Sequence, residues 1–118
     1  MRLAADEQAA VEARRFARSW SVRQALSPRL VDDIELVVAE LVSNAVRHAS
    51  PPFEVELSEI DGVIRGEVSD GSRVAPVANP RPDHHGGFGL GIVIACTSRW
   101  GTTSTTSGKQ VWFEISNT

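Results

Sequence analysis

The chain predicts an α/β fold of the two-layer α+β sandwich kind, with helices packed on one sheet. Three observations carry that expectation. Apolar residues recur at a helical spacing from Pro28 to His48. At Phe53 the period drops to two, and it does so again near the end of the chain. Between these stretches, four glycines in six residues, Gly86-Gly87-Phe88-Gly89-Leu90-Gly91, run into a third apolar segment. The resulting order is helix, helix, strand, strand, loop, helix, strand, strand.

Residues 6–25 read as the first helix. Asp6 suits an N-cap, and Ala9, Ala13, Phe16, Ala17 and Trp20 fall on one stripe, with Glu12, Arg14, Arg15 and Arg18 elsewhere. Ser27 can cap the second helix, and Pro28 fits its first turn, where a missing N–H is harmless. Asp32 and Asp33 lie early in that helix, where negative charge is favoured. Pro51-Pro52 ends it. Phe53, Val55 and Leu57 then alternate with Glu54, Glu56 and Ser58, and Asp61-Gly62 signals a hairpin turn. The return strand, Val63 to Asp70, places Ile64, Gly66, Val68 and Asp70 on one face. Residues 71–86 carry three prolines and two histidines and read as a loop long enough to be functional. A helix over 88–98 should follow, with Leu90, Ile92, Val93, Ile94 and Cys96 as its core residues. Strands over 99–106 and 109–116 should close the domain around Ser107-Gly108.

A single domain over 1–118 is expected from the length. The apolar content of 42% and charged content of 23% are those of a soluble globular protein. A net charge of −3 argues against a general nucleic-acid footprint. The one cysteine, Cys96, cannot form an internal disulfide and reads as a small core residue. No apolar run approaches the ~18 residues of a membrane span, and no leader pattern opens the chain. A cytoplasmic protein that binds neither membrane nor nucleic acid directly is the expectation.

Glu40, Asn44 and His48 are spaced four apart, in one slowly drifting row on the second helix. Ile34, Val37, Val38, Leu41, Val42 and Ala45 make up its apolar side. The bland alternative for the polar row is a solvated face. Asn44, however, sits mid-helix among apolar residues, where asparagine has poor propensity and needs a partner. A divalent cation bridging phosphates would be one, because hard cations take oxygen ligands such as an amide carbonyl. Glu40 could then deprotonate a nucleophile near that metal. Asp70 ends a strand on its core-facing side, so its carboxylate needs donors, and an adenine amino group could supply one. A simple turn-starting aspartate is the alternative. The glycines can bring backbone N–H groups close to phosphate oxygens, or can serve as a hinge. Arg47 could pair with phosphate or with an acidic neighbour. His48 continues the polar row, unlike His84 and His85. Trp20, Trp100 and Trp112 read as packing residues.

Four stretches, in order, carry a family resemblance: Glu40-Leu-Val-Ser-Asn44-Ala-Val-Arg-His48, Val68-Ser-Asp70, Gly87-Phe-Gly-Leu-Gly91 and Gly108-Lys-Gln-Val-Trp-Phe-Glu114. Together they resemble the GHKL ATPases, the superfamily of gyrase, histidine kinases and MutL. Within it the chain is similar to the small stand-alone anti-sigma factors with serine-protein kinase activity of actinobacterial type. The resemblance implies a Bergerat-type, histidine-kinase-like ATPase fold, a mixed sheet covered on one face by three helices. It implies ATP and Mg²⁺ as cofactors, Asn44 as metal ligand and Glu40 as general base. Asp70 would bind the adenine amino group, and Gly87, Gly89 and Gly91 the phosphates. His48 and Leu90 would complete the cofactor-binding set, and 72–86 would be an ATP lid. A sigma factor and an anti-anti-sigma (STAS-domain) protein would be the partners, and such proteins are often homodimers.

The chain departs from the family pattern in that Gly71 follows Asp70 at once, with Ser72 next. It also offers only Met1 to Ala5 where many relatives carry a strand before the first helix, so that edge strand is expected to be missing. Two other functions compete: a nucleotide-sensing binding module without useful catalysis, and a histidine-kinase-type catalytic domain. The latter would require phosphorylation of a histidine.

Overall fold

A computed structural model describes residues 1–73 and 90–117. Among the described residues, five strands and three helices form two layers. Helix α1 spans Gln8–Arg23 and α2 Pro28–His48, followed by a hairpin of β2, Phe53–Ile60, and β3, Val63–Asp70. Helix α3, Leu90–Cys96, leads into β4, Arg99–Ser104, and β5, Lys109–Ser116. A two-residue strand β1, Arg2–Leu3, precedes them all.

Each helix forms for local reasons. Ser27 caps α2, its Oγ accepting from Leu30 N at 3.3 Å, and Pro28 stands in the first turn as expected. Helix α1 starts two residues later than expected, yet Asp6 still serves it: its Oδ1 accepts from Gln8 N at 2.8 Å and its carbonyl from Ala9 N at 3.0 Å. At the other end Ala25 adopts a left-handed φ of 58°, with Leu26 N bonded to Ser21 O and Ala25 N to Val22 O. That is a Schellman ending with alanine where glycine is usual. Helix α3 buries only Leu90 and Val93, three residues apart on one face, and leaves Ile94 54% exposed. The expectation of Ile92, Val93 and Ile94 all facing the core is therefore corrected, since consecutive residues of a helix point 100° apart.

The hairpin turns at Asp61 and Gly62, both at positive φ, as an Asp-Gly two-residue turn requires. The sheet order is β1-β2-β3-β5-β4, and all four pairings are antiparallel. The mixed sheet expected from the resemblance is thus antiparallel at every described ladder. β3 and β4 do run in the same direction, but β5 lies between them and pairs with both. The expectation of a missing first strand is also corrected. Arg2 and Leu3 pair with Glu54 and Phe53, Val55 N donates to Met1 O at 2.9 Å, and the terminal ammonium donates to Val55 O at 2.7 Å. Two residues are too few to show a period, but buried Leu3 and this ladder hold them in place.

One face of the sheet packs on the helices. Phe53, Val55, Ile64, Val68, Val111, Phe113 and Ile115 meet Ala9, Ala13 and Ala17 of α1 and the apolar stripe of α2 in one core. Burying each large aliphatic or aromatic side chain there contributes about 1.5–3 kcal/mol. The opposite face is polar. Trp112 lies there and Arg65 stacks on it, its guanidinium carbon 4.6 Å from the ring centroid. Glu114 accepts from Arg65 at 3.0 Å and from Arg99 at 2.7 Å. No helix among the described residues is long and apolar enough to cross a membrane.

Candidate functional site

Three residues of the expected site project from α2. Asn44 is seven residues beyond Val37 and so points within about 20° of that core residue. It is 6% exposed. Its Oδ1 accepts from Arg47 Nη2 at 3.2 Å, whereas Nδ2 is buried with no hydrogen-bond partner among the described residues. An orphaned buried donor of this kind is unfavourable by about 1–3 kcal/mol unless a ligand or water satisfies it. Glu40, one turn earlier, is half-buried and makes no hydrogen bond or ion pair with a described residue. It lines a cavity of about 480 Å³ with Glu7, Ala10, Ser43, Val46 and Arg47. His48 follows in the same row but is exposed.

Asp70 comes from the end of β3, on the face with Ile64, Gly66 and Val68 as the alternation predicts, and is 6% exposed. Its carboxylate is held from within the protein. Lys109 Nζ donates to Oδ1 at 3.0 Å and to Oδ2 at 2.8 Å, and Ser72 N donates to Oδ1 at 2.8 Å. Lys109 is the direct cross-strand partner of Asp70 on β5. It escaped the sequence reading, although a signal was present: counting back from Val111, Phe113 and Ile115 by two puts this lysine in the core-facing row.

Leu90 and Gly91 open α3. Leu90 is buried, whereas Gly91 is exposed, and a Cβ built on it would meet nothing within 4 Å. Packing within the described protein does not demand a glycine there. Close approach of a ligand to the backbone would. Gly86, Gly87, Gly89, His84, His85 and nearly all of the expected 72–86 lid lie outside the described residues.

Cys96 is half-buried, and burial pushes its thiol up from the ordinary value, which suits a neutral packing residue rather than a nucleophile. No group of three or more His, Cys, Asp or Glu side chains among the described residues could hold a metal ion. A metal here would draw on one protein oxygen, Asn44 Oδ1, with the rest of its shell from phosphate and water, the habit of Mg²⁺. The orphaned Nδ2 fits that arrangement, because a phosphate oxygen would supply its missing acceptor.

The fold agrees with two comparisons. A solved structure of the RsbU and RsbW domains of Rv1364c from Mycobacterium tuberculosis superposes with a TM-score of 0.76 at 21% identity, over 98% of this chain. This chain spans 30% of that one. No curated protein matches in sequence. The family model of the histidine kinase-like ATPase domain matches residues 3–115, which takes in α2, the hairpin and all but the last residue of β5, and the chain belongs to that family.

Proposed function

We propose that the protein is an ATP-binding anti-sigma factor with serine-protein kinase activity towards an anti-anti-sigma (STAS-domain) partner, acting in the cytoplasm to regulate transcription. The carrying observation is the α2 row, where a buried amide with an unsatisfied N–H stands one turn from an uncommitted carboxylate. Membership of an ATPase-domain family supports a nucleotide there, and the likeness to a structure that includes an RsbW domain supports the regulatory setting.

In this reading Asn44 would hold Mg²⁺ through Oδ1 and a phosphate oxygen through Nδ2. Magnesium, when bound, neutralises charge on the phosphates during transfer. Glu40 accepts the proton of the attacking serine hydroxyl. Asp70 anchors the adenine amino group, and the glycines from Gly87 to Gly91, together with Leu90 and His48, surround the triphosphate. Sigma factor and STAS protein are alternative partners.

The test is incubation with labelled ATP, Mg²⁺ and candidate STAS proteins. Label should pass to a serine of one of them, and Glu40→Ala should abolish transfer while ATP still binds. Sigma binding without any transfer would defeat the kinase and leave a nucleotide-sensing binding module. That second reading is favoured by the departure from the family pattern after Asp70, where Gly71 follows at once and Ser72 comes next.

A further inference from the structure

Asp70 and Lys109 form an ion pair whose side chains are only 2% and 8% exposed. A buried pair of this kind adds little stability over two apolar residues of similar size. Its hydrogen bonding among the described residues is also incomplete. A carboxylate offers roughly four lone-pair sites and an ammonium three N–H groups. Oδ1 takes Ser72 N and Lys109, and Oδ2 takes Lys109 alone. No described residue fills the second lone pair of Oδ2 or accepts the third N–H of Lys109. A charged acceptor and a charged donor thus lie side by side in a buried setting, each with one bond that no described residue supplies.

The neighbouring backbone is built to keep them there. A Cβ on Gly108 would fall on the carbonyl oxygen of Asp70, so only a glycine lets β5 begin this close to the end of β3. The next residue, Lys109, is thereby set directly opposite Asp70.

An edge presenting one acceptor beside one donor is complementary to a planar heterocycle with a donor beside an acceptor. The exocyclic amino group and ring N1 of adenine are such a pair. We infer that Lys109 is a second base-reading residue: its Nζ donates to adenine N1 while Asp70 Oδ2 accepts from the amino group. The inference rests on the nucleotide-site reading of Asp70 and deepens it, since the base is then held by an ion pair rather than by a carboxylate alone.

Titration calorimetry of the wild-type protein with Mg·ATP and with Mg·1-deaza-ATP, which has a C–H in place of N1, tests it without altering the fold. The deaza nucleotide should bind about ten- to a hundredfold more weakly, because it strands a buried charged donor. In Lys109→Met the two should bind within about threefold of each other. If that variant does not fold, Asp70→Asn/Lys109→Met, which removes both charges together, should show the same loss of discrimination. Equal binding of the two nucleotides to the wild type, or a penalty that persists without Lys109, overturns the role of Lys109 and leaves ATP binding standing. Failure of the wild type to bind ATP at all overturns both.

Discussion

Phe113 occupies the space that a side chain at position 66 would need. The two residues are cross-strand partners on β3 and β5, and a Cβ built on Gly66 would fall on the phenyl Cε1 and Cζ. Phe113 is fully buried. Gly66→Ala should therefore destabilise the domain by about 1–3 kcal/mol through overpacking, seen as a lower melting temperature. An unchanged melting point would mean that the ring can move aside.

Ala25 predicts the opposite sign. It holds a left-handed φ of 58° at the end of α1, a conformation that disfavours any Cβ. Ala25→Gly relieves that strain while loosening the unfolded chain, for a net gain of about 0.5–1 kcal/mol. Thermal denaturation should show a higher midpoint.

Glu114 sets a pH dependence. The hydrogen bond from Arg99 is the largest influence on its carboxyl; desolvation opposes it, and with the bond from Arg65 added the carboxyl is held below the ordinary value of 4.5. A group depressed on folding contributes stability above its unfolded value and loses it as pH falls through the folded one. The wild type should therefore be more stable than Glu114→Gln near neutrality, and the gap should close below pH 4.5. Paired melting curves across this range check the sign, and a gap that widens in acid would refute it.

Asn44→Ala separates binding from folding. The amide contributes a single 3.2 Å bond to the exposed Arg47, and its Nδ2 satisfies nothing among the described residues. Stability without ligand should change by less than about 1 kcal/mol. Mg·ATP affinity should fall by about tenfold or more, as two ligand contacts are lost together. Normal Mg·ATP binding by this variant would remove Asn44 from the metal site.

Much of the architecture was legible because single-element periodicity reports it. The alternation from Val63 to Asp70 placed Asp70 on the buried side, and the α2 stripe predicted the burial of Ile34, Val37, Val38, Leu41, Val42 and Ala45. Asn44 stood out because an amide among those residues needs a reason. What stayed hidden depends on pairing between distant segments. Arg2–Leu3 is a strand only because Phe53 and Glu54 are beside it. The Asp70–Lys109 pair joins residues 39 apart through a register that no local pattern fixes. The antiparallel ladders on both sides of β5 are likewise a property of strand order, which the sequence of elements leaves open.

The position of β5 bears on how a nascent chain matures. Residues 109–116 are among the last of the domain to be synthesised, yet they fill the slot between two earlier strands. Until they emerge from the ribosome, β3 has a vacant ladder on its far side and β4 has no neighbour. Such exposed backbone invites pairing with other chains. Folding of this domain in that sense waits on its last strand: α1, α2 and the first hairpin can assemble early, but Asp70 meets its lysine only when β5 slides in.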